Sequence, residues 1–124
     1  MSVGRVAIGM SLIVKPQLVT GMWIAKGGRT PAGRLLSRAL GARDMAIGLG
    51  ALAGTRAGAP LRGWLAAGLL ADATDLVATL VERDDLPRTA VPLVVATAGA
   101  GIALGALGLA GAGNSDAPPP PVPA

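Results

Sequence analysis

The sequence predicts an all-α fold: a bundle of four transmembrane helices followed by a disordered, proline-rich tail. Three observations predict it. Residues 91–112, VPLVVATAGAGIALGALGLAGA, carry no charge, and an apolar run of about 18 residues or more has the length of a bilayer-crossing helix. The chain is 52% hydrophobic but only 2% aromatic, with neither Phe nor Tyr. A soluble core of this size ordinarily recruits large rings, whereas small residues let helices approach closely in lipid. Finally, proline, glycine and charged punctuation cuts the remainder into three more segments of crossing length. The mean hydropathy of +0.58 agrees with this division.

Taken in order, the first helix is expected over Val3 to Ala25, interrupted at Lys15-Pro16. Arg5 followed by VAIGMSLIV has the charge-then-apolar order of a signal peptide, but no small-x-small cleavage site follows. A retained, proline-kinked span is therefore expected. Thr30-Pro31 reads as an N-cap followed by proline at the first helical position. That second helix runs to about Gly54, where GTRAGAP supplies a turn. Pro60 opens the third, which ends near the charged ERDD at Glu82–Asp85. At about 1.5 Å per residue, helices of roughly 22–24 residues reach about 33–36 Å, enough to cross a bilayer. The fourth is the uncharged run, with Pro92 tolerated in its first turn. These segments make a membrane domain over 1–112. The remaining 113–124, containing NSDAPPPPVPA, lack periodicity and are expected to be extended and mobile.

Four spans place the first and third loops on one side. Lys26, Arg29, Arg34, Arg38, Arg83 and Arg88 fall there; Arg5, Arg56 and Arg62 fall on the other. Six against three favours those two loops in the cytoplasm and both termini outside the cell membrane. Trp23 and Trp64 then lie near opposite interfaces, where indoles prefer to sit.

The charges inside the predicted helices carry most of the information. Asp72 and Asp75 lie near the centre of the third helix, three residues apart and so on one face. Arg43 and Asp44 mark the centre of the second, and Lys15 that of the first. A lone charge at that depth costs about 2.5 kcal/mol or more, so mutual pairing in the bundle interior is expected. Lys15 or Arg43 should meet Asp72 or Asp75. Arg43 and Asp44, neighbours about 100° apart on a helix, should not satisfy each other directly. Two cations face three carboxylates, and an unpaired buried acid is expected to hold its proton at neutral pH. Small residues recur at Ala42, Ala46, Gly50 and Gly54, at Gly68, and at Gly101 and Gly105, in the spacing of close helix packing.

Several chemistries are missing. With no Cys and no His, there is no disulfide, no thiol or Ser–His catalysis and no common metal-ligand set. No phosphate-binding GxxxxGK[ST] loop occurs, and GLGALAG lies within a predicted helix. The net charge of +4 is not gathered with aromatics into a nucleic-acid reading motif. No enzyme, cofactor or nucleic-acid partner is expected. Membrane lipids, a second copy or another membrane protein are the expected partners. The expected role is a structural or accessory membrane component. The alternative is a proton- or ion-coupled small transporter or channel subunit that uses the third-helix aspartates.

The segments RALGARDMAIGLGALAG and RGWLAAGLLADATDLVATL resemble a family of small actinobacterial-type integral membrane proteins, catalogued as a domain of unknown function. The resemblance covers about residues 4–110 and rests on Arg43-Asp44, on Asp72-x-x-Asp75 and on the preceding Arg62-Gly63-Trp64. It implies a four-helix architecture and assigns no chemistry; the proline tail lies outside the pattern.

Overall fold

Proline and glycine set the boundaries of the helices in the computed structural model, which describes residues 2–115. Five α-helices and one 3-10 turn follow in order, with no strand among the described residues: α1 (Ser2–Val14), α2 (Pro16–Trp23), the turn (Ala25–Arg29), α3 (Pro31–Ala57), α4 (Arg62–Val81) and α5 (Ala90–Ser115). The fold is all-α. The proline-rich tail expected at 113–124 lies outside the described residues, except that α5 continues to Ser115.

The first expected span is not one kinked helix. It breaks at Lys15, and α1 and α2 diverge by 102°. Pro16 has no N–H to donate to the preceding turn, and it excludes the helical conformation from the residue before it. Lys15 accordingly sits at φ −132°, ψ 63°. The new helix starts on Pro16 itself, where the missing donor costs nothing.

α3 begins as expected. Thr30 accepts a hydrogen bond from Gly33 N–H at 3.0 Å, and Pro31 occupies the first turn. The helix runs three residues beyond Gly54 and closes on Gly58 at φ 64°, with Ala59 N–H donating to Gly54 O at 2.9 Å. This left-handed stop favours glycine.

Two antiparallel pairs build the bundle: α1 on α3 and α4 on α5. In the first, Gly9 faces Gly41, and Gly48 faces Ser2 and Val6. In the second, Gly101 faces Asp72, and Gly105 and Gly108 face Leu69 and Leu65. The pairs meet where Gly50 and Gly54 receive Trp64 and Leu61. α2 turns across one end of this arrangement. Trp23 Nε1 donates to Thr79 Oγ1 at 3.1 Å, and Thr89 Oγ1 donates to Met22 O at 3.0 Å. Trp23 and Trp64 stand toward opposite ends of α4.

The distribution of residues is inverted relative to a soluble bundle. Buried positions are largely Gly, Ala, Ser, Thr and charged groups, whereas Leu70 is 67% and Leu107 69% exposed. Small residues inside and large aliphatics outside suit a helix bundle surrounded by lipid tails. Two helices, α4 and residues 90–111 of α5, are long and apolar enough to cross a membrane, and the bent α1–α2 pair makes a third if counted as one span. The four-span expectation is therefore met only in part by length and hydropathy. α3 has the length, but its 27 residues include Arg34, Arg38, Arg43, Asp44 and Arg56.

Candidate functional site: a buried charge cluster beside a cleft

Five charged side chains from three helices converge between the two helix pairs. Arg5 on α1 is the hub. Its Nη1 donates to Asp44 Oδ1 at 3.1 Å, and its Nη2 donates to Gly68 O at 2.8 Å and to Asp72 Oδ2. Arg43 on α3 grips Asp75 with both terminal nitrogens, Nη1 to Oδ1 at 3.1 Å and Nη2 to Oδ2 at 2.7 Å. This is the bidentate fork that arginine makes with carboxylates. Arg43 Nη2 also reaches Asp44 Oδ1 at 3.4 Å, so Asp44 links the two arginines. Arg5, Asp44 and Asp72 are 7%, 8% and 9% exposed.

The helix pattern explains the placement. Arg5, Gly9 and Leu12 are the buried residues of α1, spaced four and three apart along one face. On α3, Ser37, Gly41, Asp44, Gly48 and Ala51 continue the same kind of stripe. On α4, Gly68 precedes Asp72 by one turn, and its lack of a side chain lets the Arg5 guanidinium lie over its carbonyl. Gly101 does the same for the other side of Asp72: a Cβ there would strike the Asp72 carboxylate.

Of the five residues the sequence singled out, the structure brings together Arg43, Asp44, Asp72 and Asp75. Lys15 stays outside. It is exposed at the break before α2, because the sharp bend removes it from the face that meets α3 and α4. Its place is taken by Arg5, which the loop-charge count had put at the surface. The signal was present: an arginine at the head of the four- and three-residue spacing Arg5, Gly9, Leu12. Nor are Arg43 and Asp44 independent. The reach of the arginine side chain overcomes the 100° that separates neighbouring helix positions. The exchange of Lys15 for Arg5 leaves the tally unchanged at two cations and three carboxylates.

One side of the cluster is open. No Cα atoms of α1 and α5 come within 8 Å of each other among the described residues. The gap is a cleft of about 500 Å³ with all five charged residues on its floor. Its walls are mostly aliphatic, including Ile8, Leu12, Leu93, Val94 and Leu104 with Ser11 and Thr97 among them, and Trp23 and Met22 stand at the α2 end. No group of three or more potential metal ligands occurs among the described residues that could hold an ion. No family model, curated protein or solved structure matches the chain.

Proposed function

We propose that the chain is a multi-span membrane protein in which the charge cluster is a structural lock, and that its role is that of a structural or accessory membrane component. The observation that carries this reading is the closed network Arg5–Asp44–Arg43–Asp75 with Asp72 on Arg5, which joins α1, α3 and α4. With both arginines engaged, α3 crosses the bilayer despite its charges, because Arg43 and Asp44 face partners and not acyl chains. In this reading four helices make the membrane architecture, with α1–α2 as a broken span whose second half lies across the end of the bundle. Arg34, Arg38, Lys26, Arg29, Arg83 and Arg88 belong to that end, and only Arg56 and Arg62 to the other, which supports the first end as cytoplasmic. The exposed aliphatic surface supports contact with membrane lipids and with a second copy or another membrane protein.

The test is an exchange of charge for hydrocarbon. Breaking a buried ion pair by removing one partner is strongly destabilising, whereas replacing both by apolar groups of similar volume is often neutral. A purely structural pair should follow that rule. Arg5→Met with Asp44→Leu and Asp72→Leu, which removes the arginine together with both carboxylates it holds and leaves the Arg43–Asp75 pair, should insert and resist unfolding like the parent, while Arg5→Met alone should not.

A second reading, a proton- or ion-coupled transporter or channel subunit using Asp72 and Asp75, is favoured by one observation: both carboxylates line the cleft. Proton flux into proteoliposomes, compared between the parent and Asp75→Asn, separates the two readings. Equal flux, or none in either protein, removes the second.

A further inference from the structure

The cleft between α1 and α5 has a sign as well as a shape. Its floor carries two guanidinium groups and three carboxylates, an excess of one negative charge that a single positive charge, a proton or a ligand's, would balance. The unpaired atoms point the same way. Asp44 uses only Oδ1 for the two arginines, and Asp72 only Oδ2, so Asp44 Oδ2 and Asp72 Oδ1 accept no hydrogen bond among the described residues. Neither oxygen is sealed off, since among the described residues the buried side-chain atoms without a partner are Arg5 Nε and Arg43 Nε. The cleft is thus lined by two aspartates that each keep one oxygen without a hydrogen bond, while the spare guanidinium nitrogens are buried. The walls above that floor are mostly aliphatic, with Trp23 among them. Indole faces attract cations. A volume of about 500 Å³ falls within the range of sites for small organic molecules.

From these features we infer that the cleft is a binding site for a lipophilic monovalent cation, an organic molecule with one positive charge on an apolar body, which enters sideways between α1 and α5. Its charge balances the surplus carboxylate of the floor. Its apolar body replaces the contacts that α1 and α5 do not make with each other. The inference goes beyond the structural reading and does not depend on it. It concerns the open face of the cluster, and the lock concerns the pairs behind it.

The experiment uses the purified full chain in detergent and two size-matched probes of opposite sign, tetraphenylphosphonium and tetraphenylborate, followed by equilibrium dialysis. The cation should bind at least about tenfold more tightly than the anion, a difference worth about 1.4 kcal/mol. Asp44→Asn and Asp72→Asn should each weaken the cation about tenfold or more. Because each of these substitutions also removes a member of the buried network, a second variant fills the cleft from its walls: Gly4→Leu with Ala100→Leu. Both positions are exposed, a Cβ at Gly4 would meet nothing within 4 Å, and neither residue takes part in an ion pair. This variant should unfold like the parent and lose cation binding about tenfold or more. Equal or tighter binding of the anion, no binding of the cation, or cation binding unaffected by filling the cleft would overturn the assignment. So would a co-purifying neutral lipid that the cation does not displace, or a second copy that cross-links through Ala100→Cys and excludes the cation.

Discussion

Arg5 and Asp72 are separated by 67 positions in the chain and meet through a buried hydrogen bond, with the same Arg5 nitrogen also held by Gly68 O at 2.8 Å. One guanidinium thereby fastens α1 to α4 as well as to α3. Removal of one member of a buried pair is costly because it strands the other, typically by about 3–5 kcal/mol. The cost is expected toward the lower end here, since partners within a membrane find substitutes. Arg5→Ala should therefore lower stability by about 3 kcal/mol in detergent unfolding titrations. Lys15→Ala, at an exposed position with no ion pair among the described residues, should stay within about 0.5 kcal/mol of the parent. Equal effects would remove Arg5 from the cluster.

Much of this arrangement was legible in the sequence, and the exception has a physical cause. The uncharged run at 91–112, Thr30-Pro31 and the Asp72–Asp75 spacing are local signals, and each landed close to its place. The identity of the α1 cation was not local. It depended on whether Pro16 kinks the helix or ends it, because a 102° break sends Lys15 away and leaves Arg5 as the only basic residue of α1. A mid-helix count of residues assumes a straight rod, and that assumption failed at one peptide. The Arg43–Asp44 contact was missed for a similar reason: angular spacing describes Cβ directions, not the reach of a long side chain. The cleft between α1 and α5 was not legible at all, since it arises from two helices that fail to touch.

Close backbone approach between α1 and α3 gives a second prediction. A Cβ on Gly9 would lie 2.5 Å from Gly41 O, and one on Gly41 would lie 2.6 Å from Gly9 O. Backbone atoms cannot rotate aside, so the helices must separate. Gly9→Ala and Gly41→Ala should each cost about 1–3 kcal/mol, as overpacked cores do. Gly99→Ala, where nothing lies within 4 Å, should be neutral or stabilising by up to about 1 kcal/mol from helix propensity. Thermal unfolding of the three variants in one detergent decides the matter; a destabilised Gly99→Ala with unharmed Gly9→Ala would contradict the α1–α3 register.

The topology can be read with single cysteines, because the chain contains none to remove. Ala59 lies in the connection between α3 and α4, and Asp84 in the connection between α4 and α5; both are exposed. Lys26 belongs to the turn that follows α2, at the same end as Asp84. Ala59→Cys in intact cells should react with a membrane-impermeant maleimide. Lys26→Cys and Asp84→Cys should react only after permeabilisation. Labelling of Ala59→Cys and Asp84→Cys from one side would show that α4 does not cross.

The junction of α2 with the end of α4 rests on Thr79, whose hydroxyl does two things. It donates to Asp75 O at 2.7 Å within its own helix and accepts from Trp23 Nε1 at 3.1 Å. Thr79 is 2% exposed, so the indole N–H has little chance of replacing its partner with water. Thr79→Val keeps the shape and removes the oxygen, and should cost about 1–3 kcal/mol through the stranded donor. Thr74→Val removes a hydroxyl from the same helix, where it donates only to Leu70 O at an exposed position, and should change stability by less than about 0.5 kcal/mol. The optical consequence separates a local effect from a global one. In a Trp64→Phe background, Thr79→Val should shift the emission of Trp23 before any loss of helical circular dichroism, because α2 releases from the bundle end while the α1–α3 and α4–α5 pairs persist. Simultaneous loss of both signals would mean that α2 is not a separable cap and that the Trp23–Thr79 contact holds the whole bundle.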